Sequence, residues 1–163
     1  MVYATAVRLL GDPSEAEDVS QTVFLRAFER FDRLGGESVA GWLRTVTRNL
    51  CLNHLTRFRP RWRLFSESGR AGPADGRPFE DAIESAGTPA DDLERKEERA
   101  RLERGLRSLP RHQRVPIVLY HFEHCSYREI AALLDVSLGK VKTDIHRGRL
   151  ALRSLMVTDD ASR

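Results

Sequence analysis

Residues 126–153 read SYREIAALLDVSLGKVKTDIHRGRLALR. The run divides into two helical patterns with a tight break between them. Ser126 suits the cap of the first helix, and Glu129, three residues on, completes a capping box. Ile130, Leu133 and Leu134 recur at helical spacing and form a buried stripe. Asp135 and Val136 supply the break, and Ser137 can cap the second helix. In that helix Val141, Ile145, Leu150 and Leu152 are expected to face inward. Lys140, Lys142, Thr143, His146, Arg147 and Arg149 are then left on the outer side. Two helices with a short turn and a cation-rich second member describe a helix-turn-helix, whose second helix enters the major groove of DNA. The plainer alternative is a solvated basic helix in an ordinary bundle. Capping, turn and cation placement all agree on the first reading.

Charge is patterned along the rest of the chain. The 163 residues carry a formal net charge of only +3, with 40% hydrophobic and 31% charged residues. Residues 1–65 sum to +3, residues 66–92 to −5 and residues 93–155 to +6. Two basic blocks flanking an acidic connector point to polyanion binding at two separate places. No apolar run approaches the roughly 20 residues of a membrane span, and no secretory signal pattern opens the chain. Cys51 and Cys125 lie far apart in apolar-patterned helical segments, which suits reduced thiols in a cytoplasmic setting.

The pattern is helical throughout, and the fold class expected is all-α: two small helical domains joined by a flexible linker. Residues 3–10 form a short helix ended by Gly11. Asp12, Pro13 and Ser14 start the next, with Glu15, Glu17 and Asp18 where the helix dipole favours anions. Val19, Val23, Phe24, Ala27, Phe28 and Phe31 give it one apolar face. A third helix runs from 39 to about 57 on Trp42, Leu43, Val46, Leu50 and Leu55. Residues 66–89, rich in Gly, Pro, Ala, Ser and acid, bury too little to offset ordering entropy and read as a flexible linker. A charged helix over 91–109 follows, then one from Pro110 to about 123. Pro116 should kink the latter, because it removes a hydrogen bond.

No acid falls between Glu37 and Glu67, whereas Arg44, Arg48, Arg57, Arg59, Arg61 and Arg63 do, interleaved with Trp42, Phe58 and Trp62. Guanidinium groups pair with phosphates and rings stack on exposed bases, so this block suits single-stranded nucleic acid. Trp42 itself is in register with Leu43 and Val46, which favours a core position. His121, His124 and Cys125 have the spacing of a metal face. Cys125 reads better as an apolar position, however, and no metal or cofactor is expected. No P-loop, dinucleotide-binding glycine pattern or nucleophile–base arrangement is present, so the chain does not read as an enzyme.

Taken in order, these segments resemble the sigma-70 family, extracytoplasmic-function (ECF) group. Residues 17–28, EDVSQTVFLRAF, resemble the region 2 helix that docks on the RNA polymerase clamp. Residues 41–43 through 48–50 resemble the helix that engages the −10 promoter element. LPRHQR at 109–114, SYREIA at 126–131, GKVKT at 139–143 and HRGR at 146–149 resemble region 4. The resemblance implies a region 2 unit over 1–65, a linker over 66–90, a region 4 unit over 91–156 and a tail over 157–163. It implies core polymerase binding through Glu17, Asp18, Gln21, Phe24 and Leu25. It also implies −10 contacts from Arg44, Arg48, Asn49, Asn53 and Arg57, with a flipped base held near the loop at 34–38. For the −35 element it implies Lys142, Thr143 and His146 on base edges and Lys140, Arg147 and Arg149 on phosphates. The expected partners are core RNA polymerase, promoter DNA and an anti-sigma factor.

Departures from the family pattern are expected to tune affinity. The family carries another turn or more of helix ahead of Tyr3. Thr22 stands where an acid is common and Thr45 where an arginine is frequent. His124 replaces a helix-ending glycine. Asp144 replaces a basic residue in the recognition helix and is expected to repel phosphate. Two other readings remain open at this level: a helix-turn-helix regulator with its own operator, and a polymerase-binding adaptor that does not melt promoters.

Overall fold

The computed structural model describes residues 1–30, 39–56 and 89–160, with side chains from 95 to 156 in the last segment. Residues 66–88 of the linker, the loop at 34–38, Phe31, Arg57, Phe58 and Trp62 lie outside the described residues, whereas Pro89 and Ala90 already belong to a helix. Seven helices are described: α1 Val2–Leu10, α2 Pro13–Glu29, α3 Val39–Thr56, α4 Pro89–Ser108, α5 Arg111–His121, α6 Tyr127–Leu134 and α7 Leu138–Asp160.

Local chemistry sets the ends. α1 stops at Gly11, which takes a left-handed φ of 75° and returns its N–H to the Val7 carbonyl, a conformation that costs glycine little. The Asp12 carboxylate then accepts the N–H groups of Ser14 and Glu15, at 2.8 and 3.1 Å, and Pro13 opens α2. Ser126 caps α6 in a complete capping box with Glu129, and its hydrogen bonds draw the exposed Glu129 carboxyl below its usual range. Asp135 turns the chain with a left-handed φ of 55°, and Ser137 Oγ accepts the Lys140 N–H at the start of α7. His124 also has φ 55°, so it occupies a left-handed position with a side chain that can tolerate it. α5 runs unbroken through Pro116, whose ring is buried in the core.

α1, α2 and α3 pack on one another, as do α4, α5, α6 and α7. The two groups also meet, because α1 packs on α5 and, more lightly, on α4. The buried apolar residues of both groups belong to one cluster, including Leu9 and Leu10 of α1 and Val118 and Leu119 of α5. The two helical units expected on either side of the acidic connector are present, and they dock on one another through a shared core. Units of about 60 residues bury a smaller share of their surface than larger domains, and sharing α1 between them enlarges the core.

Two apolar expectations are corrected. In α2, Ala16, Val19, Ser20 and Val23 turn inward, whereas Phe24 and Phe28 are exposed. The inward sector is centred between Val19, Ser20 and Val23, and Phe24 and Phe28 lie about 90° and 130° from its middle at 100° per residue. In α7, Leu150 is 53% exposed. The inward face runs through Val141, Ile145, Gly148 and Leu152 at steps of four, three and four. Gly148 belongs there because a Cβ would strike the Ile117 side chain of α5.

Candidate nucleic-acid interface

α7 presents Lys142, His146, Arg147 and Arg153 as exposed side chains, and Thr143 as a half-buried one. Its N-terminal half stands free because Val141 and Ile145 anchor it on the other side. Thr143 Oγ1 donates to the Gly139 carbonyl at 3.0 Å, so its proton is engaged within the helix while the oxygen can still accept.

Two residues of the sequence-derived set are turned away from this face. Lys140 Nζ is 2.8 Å from Asp144 Oδ2, and the two side chains are only 12% and 6% exposed. Lys140 therefore neutralises Asp144, which faces inward and does not confront phosphate. An i,i+4 pair on a helix has the geometry for this. His112 of α5 lies beside the pair. Burial lowers its pKa, Lys140 and Arg147 lower it further, and Asp144 opposes. Arg149 donates through Nε and Nη2 to His121 Nε2, at 3.3 and 3.1 Å, and lies 5.5 Å from the Tyr120 ring centroid. It braces α7 against α5 instead of extending into solvent.

The Arg149–His121 contact has a pH consequence. Burial first, and the Arg149 charge second, lower the His121 pKa to about 4. The unfolded chain takes up this proton near pH 6.5. Between those values the unfolded state binds more protons, so stability falls as pH drops from about 6.5 towards 4 and is unaffected by this group above that window. At pH 5 the full shift would correspond to about 2 kcal/mol, and solvent access to a half-buried ring reduces it to about 1 kcal/mol. His121→Gln should narrow the stability difference between pH 7 and pH 5 by that amount in urea titrations. An unchanged difference would show that His121 titrates normally.

α3 presents a second polar strip. Thr45, Asn49 and Asn53 are exposed at steps of four, with Arg44 exposed beside them, while Thr47, Cys51, Leu52 and Leu55 face the core. Trp42, Leu43, Val46 and Leu50 are half-buried, and the last three pack against the core. Arg48 falls within the strip but is half-buried, with Nη1 3.5 Å from Cys125 Sγ of the other helical group. The Cys51 thiol is buried and its pKa is pushed up to about 12, by desolvation and then by Glu123. Both cysteines are free thiols.

The third surface lies on α2. Glu17, Asp18, Gln21, Phe24 and Leu25 are all exposed, and Phe28, which the sequence reading assigned only to the apolar face, extends the strip at 81% exposure. Positions 17, 21, 24, 25 and 28 share one side of a helix. Thr22 Oγ1 donates to the Asp18 carbonyl at 2.9 Å, so its hydroxyl is engaged within the helix. The strip is a run of large apolar side chains flanked by acids, with no covering element among the described residues. Phe28 was not among the residues expected at this surface, and only the helical phase separates it from the core.

Comparison with known proteins places the chain in a family. A model of sigma-70 region 2 matches residues 1–61 and one of sigma-70 region 4 matches residues 99–152. The chain is 35% identical over 156 residues to the ECF RNA polymerase sigma factor SigE of Mycolicibacterium smegmatis, covering 95% of this chain and 57% of that protein. It is 31% identical over 153 residues to the ECF RNA polymerase sigma factor SigW of Bacillus subtilis, covering 93% and 81%. The fold is similar to that of the sigma factor RpoE from Bartonella quintana, solved with the anti-sigma factor NepR, with a TM-score of 0.50, 24% identity and coverage of 97% and 91%. The chain belongs to the sigma-70 family, in its extracytoplasmic-function group. Proteins of this group are alternative sigma factors, which direct promoter recognition for transcription initiation in association with RNA polymerase. No helix among the described residues is long and apolar enough to cross a membrane.

Proposed function

We propose that this chain directs initiation with residues 1–65 and 91–156 as its two promoter-reading units, joined by 66–90 and followed by a tail at 157–163. What carries the proposal is one exposed cationic and polar strip in each unit: Arg44, Asn49 and Asn53 on α3, and Lys142, His146 and Arg147 on α7. In this reading α3, with Arg48 and Arg57, receives the melted −10 strand. Its guanidinium groups meet phosphates and its amides meet bases. Lys142, Thr143 and His146 read −35 base edges in the major groove, and Arg147 anchors a phosphate. Lys140 and Arg149 act indirectly, by fixing the α7 conformation and its seat on α5. Core polymerase is held by Glu17, Asp18, Gln21, Phe24, Leu25 and Phe28.

The protein works by binding alone, in the cytoplasm, with no chemical step of its own. RpoE is known in complex with an anti-sigma factor, and an anti-sigma partner is proposed for this chain as well. A stand-alone operator-binding regulator would have no use for a region 2 match over residues 1–61.

Transcription in vitro with core polymerase and a genomic fragment library tests this. Defined start sites are expected only when the protein is added, and none at all would favour the adaptor reading. Selection on randomised −35 sequences tests the residue roles. Lys142→Ala should relax preference at one base position by about 1–3 kcal/mol. Arg147→Ala should weaken all sequences alike and lower the salt slope by about 1. Unchanged preference in Lys142→Ala would mean that a different face of α7 meets the bases.

A further inference from the structure

We propose that Asp144 withholds Lys140 from DNA, so that α7 meets the duplex with one cation fewer than its sequence carries and holds every sequence less tightly. The proposal rests on the assignment of α7 to the −35 major groove, and it names the residue that sets how strongly that helix grips phosphate.

Lys140 lies in the first turn of α7, among exposed neighbours. Ser137, Leu138, Gly139 and Lys142 all face solvent, and a Cβ at Gly139 would meet nothing closer than Ser137 Oγ at 4.0 Å. The N-terminal residues of a recognition helix are the ones that enter the groove. Lys140 also shares a flank with Arg147, because residues seven apart on a helix lie on one side, and Arg147 is exposed. By position the two cations would meet a phosphate strand together. The Lys140 side chain is nevertheless only 12% exposed, with Nζ 2.8 Å from Asp144 Oδ2.

This pair is not one that DNA can easily take apart. An exposed ion pair exchanges its partners at little cost, but the Asp144 side chain is 6% exposed. A buried carboxylate is tolerated while paired and becomes strongly destabilising when its partner leaves. Moving the ammonium to a phosphate would strand Asp144, so the lysine stays with it. Asp144 touches no DNA in this account; it is a positioning residue that acts through Lys140. Each phosphate paired with a cation adds about 1 to the slope of log affinity against log salt. Leaving Lys140 out therefore weakens binding to any duplex and flattens its salt dependence, while Lys142, Thr143 and His146 keep their base edges. Weaker general affinity also reduces the share of the protein held by non-specific DNA.

The test measures binding of the full chain to a fluorescein-labelled mixed-sequence duplex of about 20 base pairs, by anisotropy across a potassium chloride series. Asp144→Asn removes the charge and keeps the shape. It should steepen the salt slope by about 1 and tighten binding about fivefold at about 0.15 M salt. Asp144→Leu tests the same release if the asparagine variant does not fold. Adding Lys140→Gln should return slope and affinity to those of the parent, since the released cation is then gone. An unchanged slope in the folded Asp144 variants would overturn the proposal, and so would a slope that stays steep without Lys140. A merely structural role for Asp144 would move the melting temperature and leave the slope alone. Arg147→Ala reports on the α7 assignment itself, and its slope should fall by about 1. A fall there with no change in the Asp144 variants overturns the withholding alone. No change in either overturns the α7 assignment with it.

Discussion

Replacing Phe24 and Phe28 together by alanine is expected to leave the fold intact and to weaken binding to core polymerase by at least about a hundredfold. The two rings are 56% and 81% exposed, so little of their area is engaged within the chain. Their loss should shift the melting temperature by no more than a typical surface change, about 0.5 kcal/mol. At an interface each ring can bury on the order of 150–250 Å², and buried aromatic anchors commonly carry 2 kcal/mol or more each. A loss of about 3 kcal/mol for the pair already corresponds to more than a hundredfold in affinity. Val23→Ala, one position from Phe24 but fully buried, should do the opposite. It should cost about 2 kcal/mol of stability and leave polymerase affinity nearly unchanged. Biolayer interferometry against immobilised core polymerase, paired with thermal melts, reads both effects. Equal polymerase affinity in the double variant and the parent would remove α2 from the polymerase interface.

The same pair of residues shows what a linear reading reaches and where it stops. Helix ends were legible because each rests on a few neighbouring residues. Asp12 with Pro13, Ser126 with Glu129, and Ser137 all cap as their chemistry demands. Gly11 and Asp135 end their helices where expected, and both do so with a left-handed φ. The α7 strip was legible because cations recur along it at helical spacing, whereas Asn49 and Asn53 of α3 came only from the family resemblance. Periodicity does not, however, say how wide the buried stripe is. Phe28 and Leu150 are apolar and near the right phase, yet they lie outside the sector that neighbouring helices cover. Nor does it say which cation is already engaged. Lys140 pairs with Asp144 four residues along, and Arg149 reaches His121 on another helix. The contacts between the helical groups lay furthest from view, because partners such as Thr5 and Glu123 are 118 positions apart. Nothing local in either segment announces the other.

Arg114 depends most on that long-range packing, and its removal should be the most damaging single change to stability. The guanidinium is buried and donates to three carbonyls: Leu10 at 2.6 Å, Leu109 at 3.1 Å and Arg107 at 3.4 Å. Leu10 ends α1, so Arg114 satisfies a helix C-terminus in the other group, where a cation is favoured. Gly11 makes room for it, since any Cβ there would run into the guanidinium. Burial, and then the nearby Arg111, lower its pKa to about 10, with Glu15 opposing. The group is still charged at neutral pH, so its hydrogen bonds are charge-assisted. Arg114→Ala would leave buried carbonyls unpaired and open a cavity, and each charged hydrogen bond is worth about 1.5–3 kcal/mol. Allowing for partial relaxation, the expected loss is about 4 kcal/mol, or about 10 °C in melting temperature for a chain of this size. Arg107→Ala, on the exposed side of α4, should cost less than about 0.5 kcal/mol. Gly11→Ala should approach the Arg114→Ala loss, because it both displaces the guanidinium and strains a left-handed φ of 75°. Thermal melts of the three variants decide the matter. If Arg114→Ala melts within 2 °C of the parent, the guanidinium does not join the two groups, and the cap on α1 is being supplied by water.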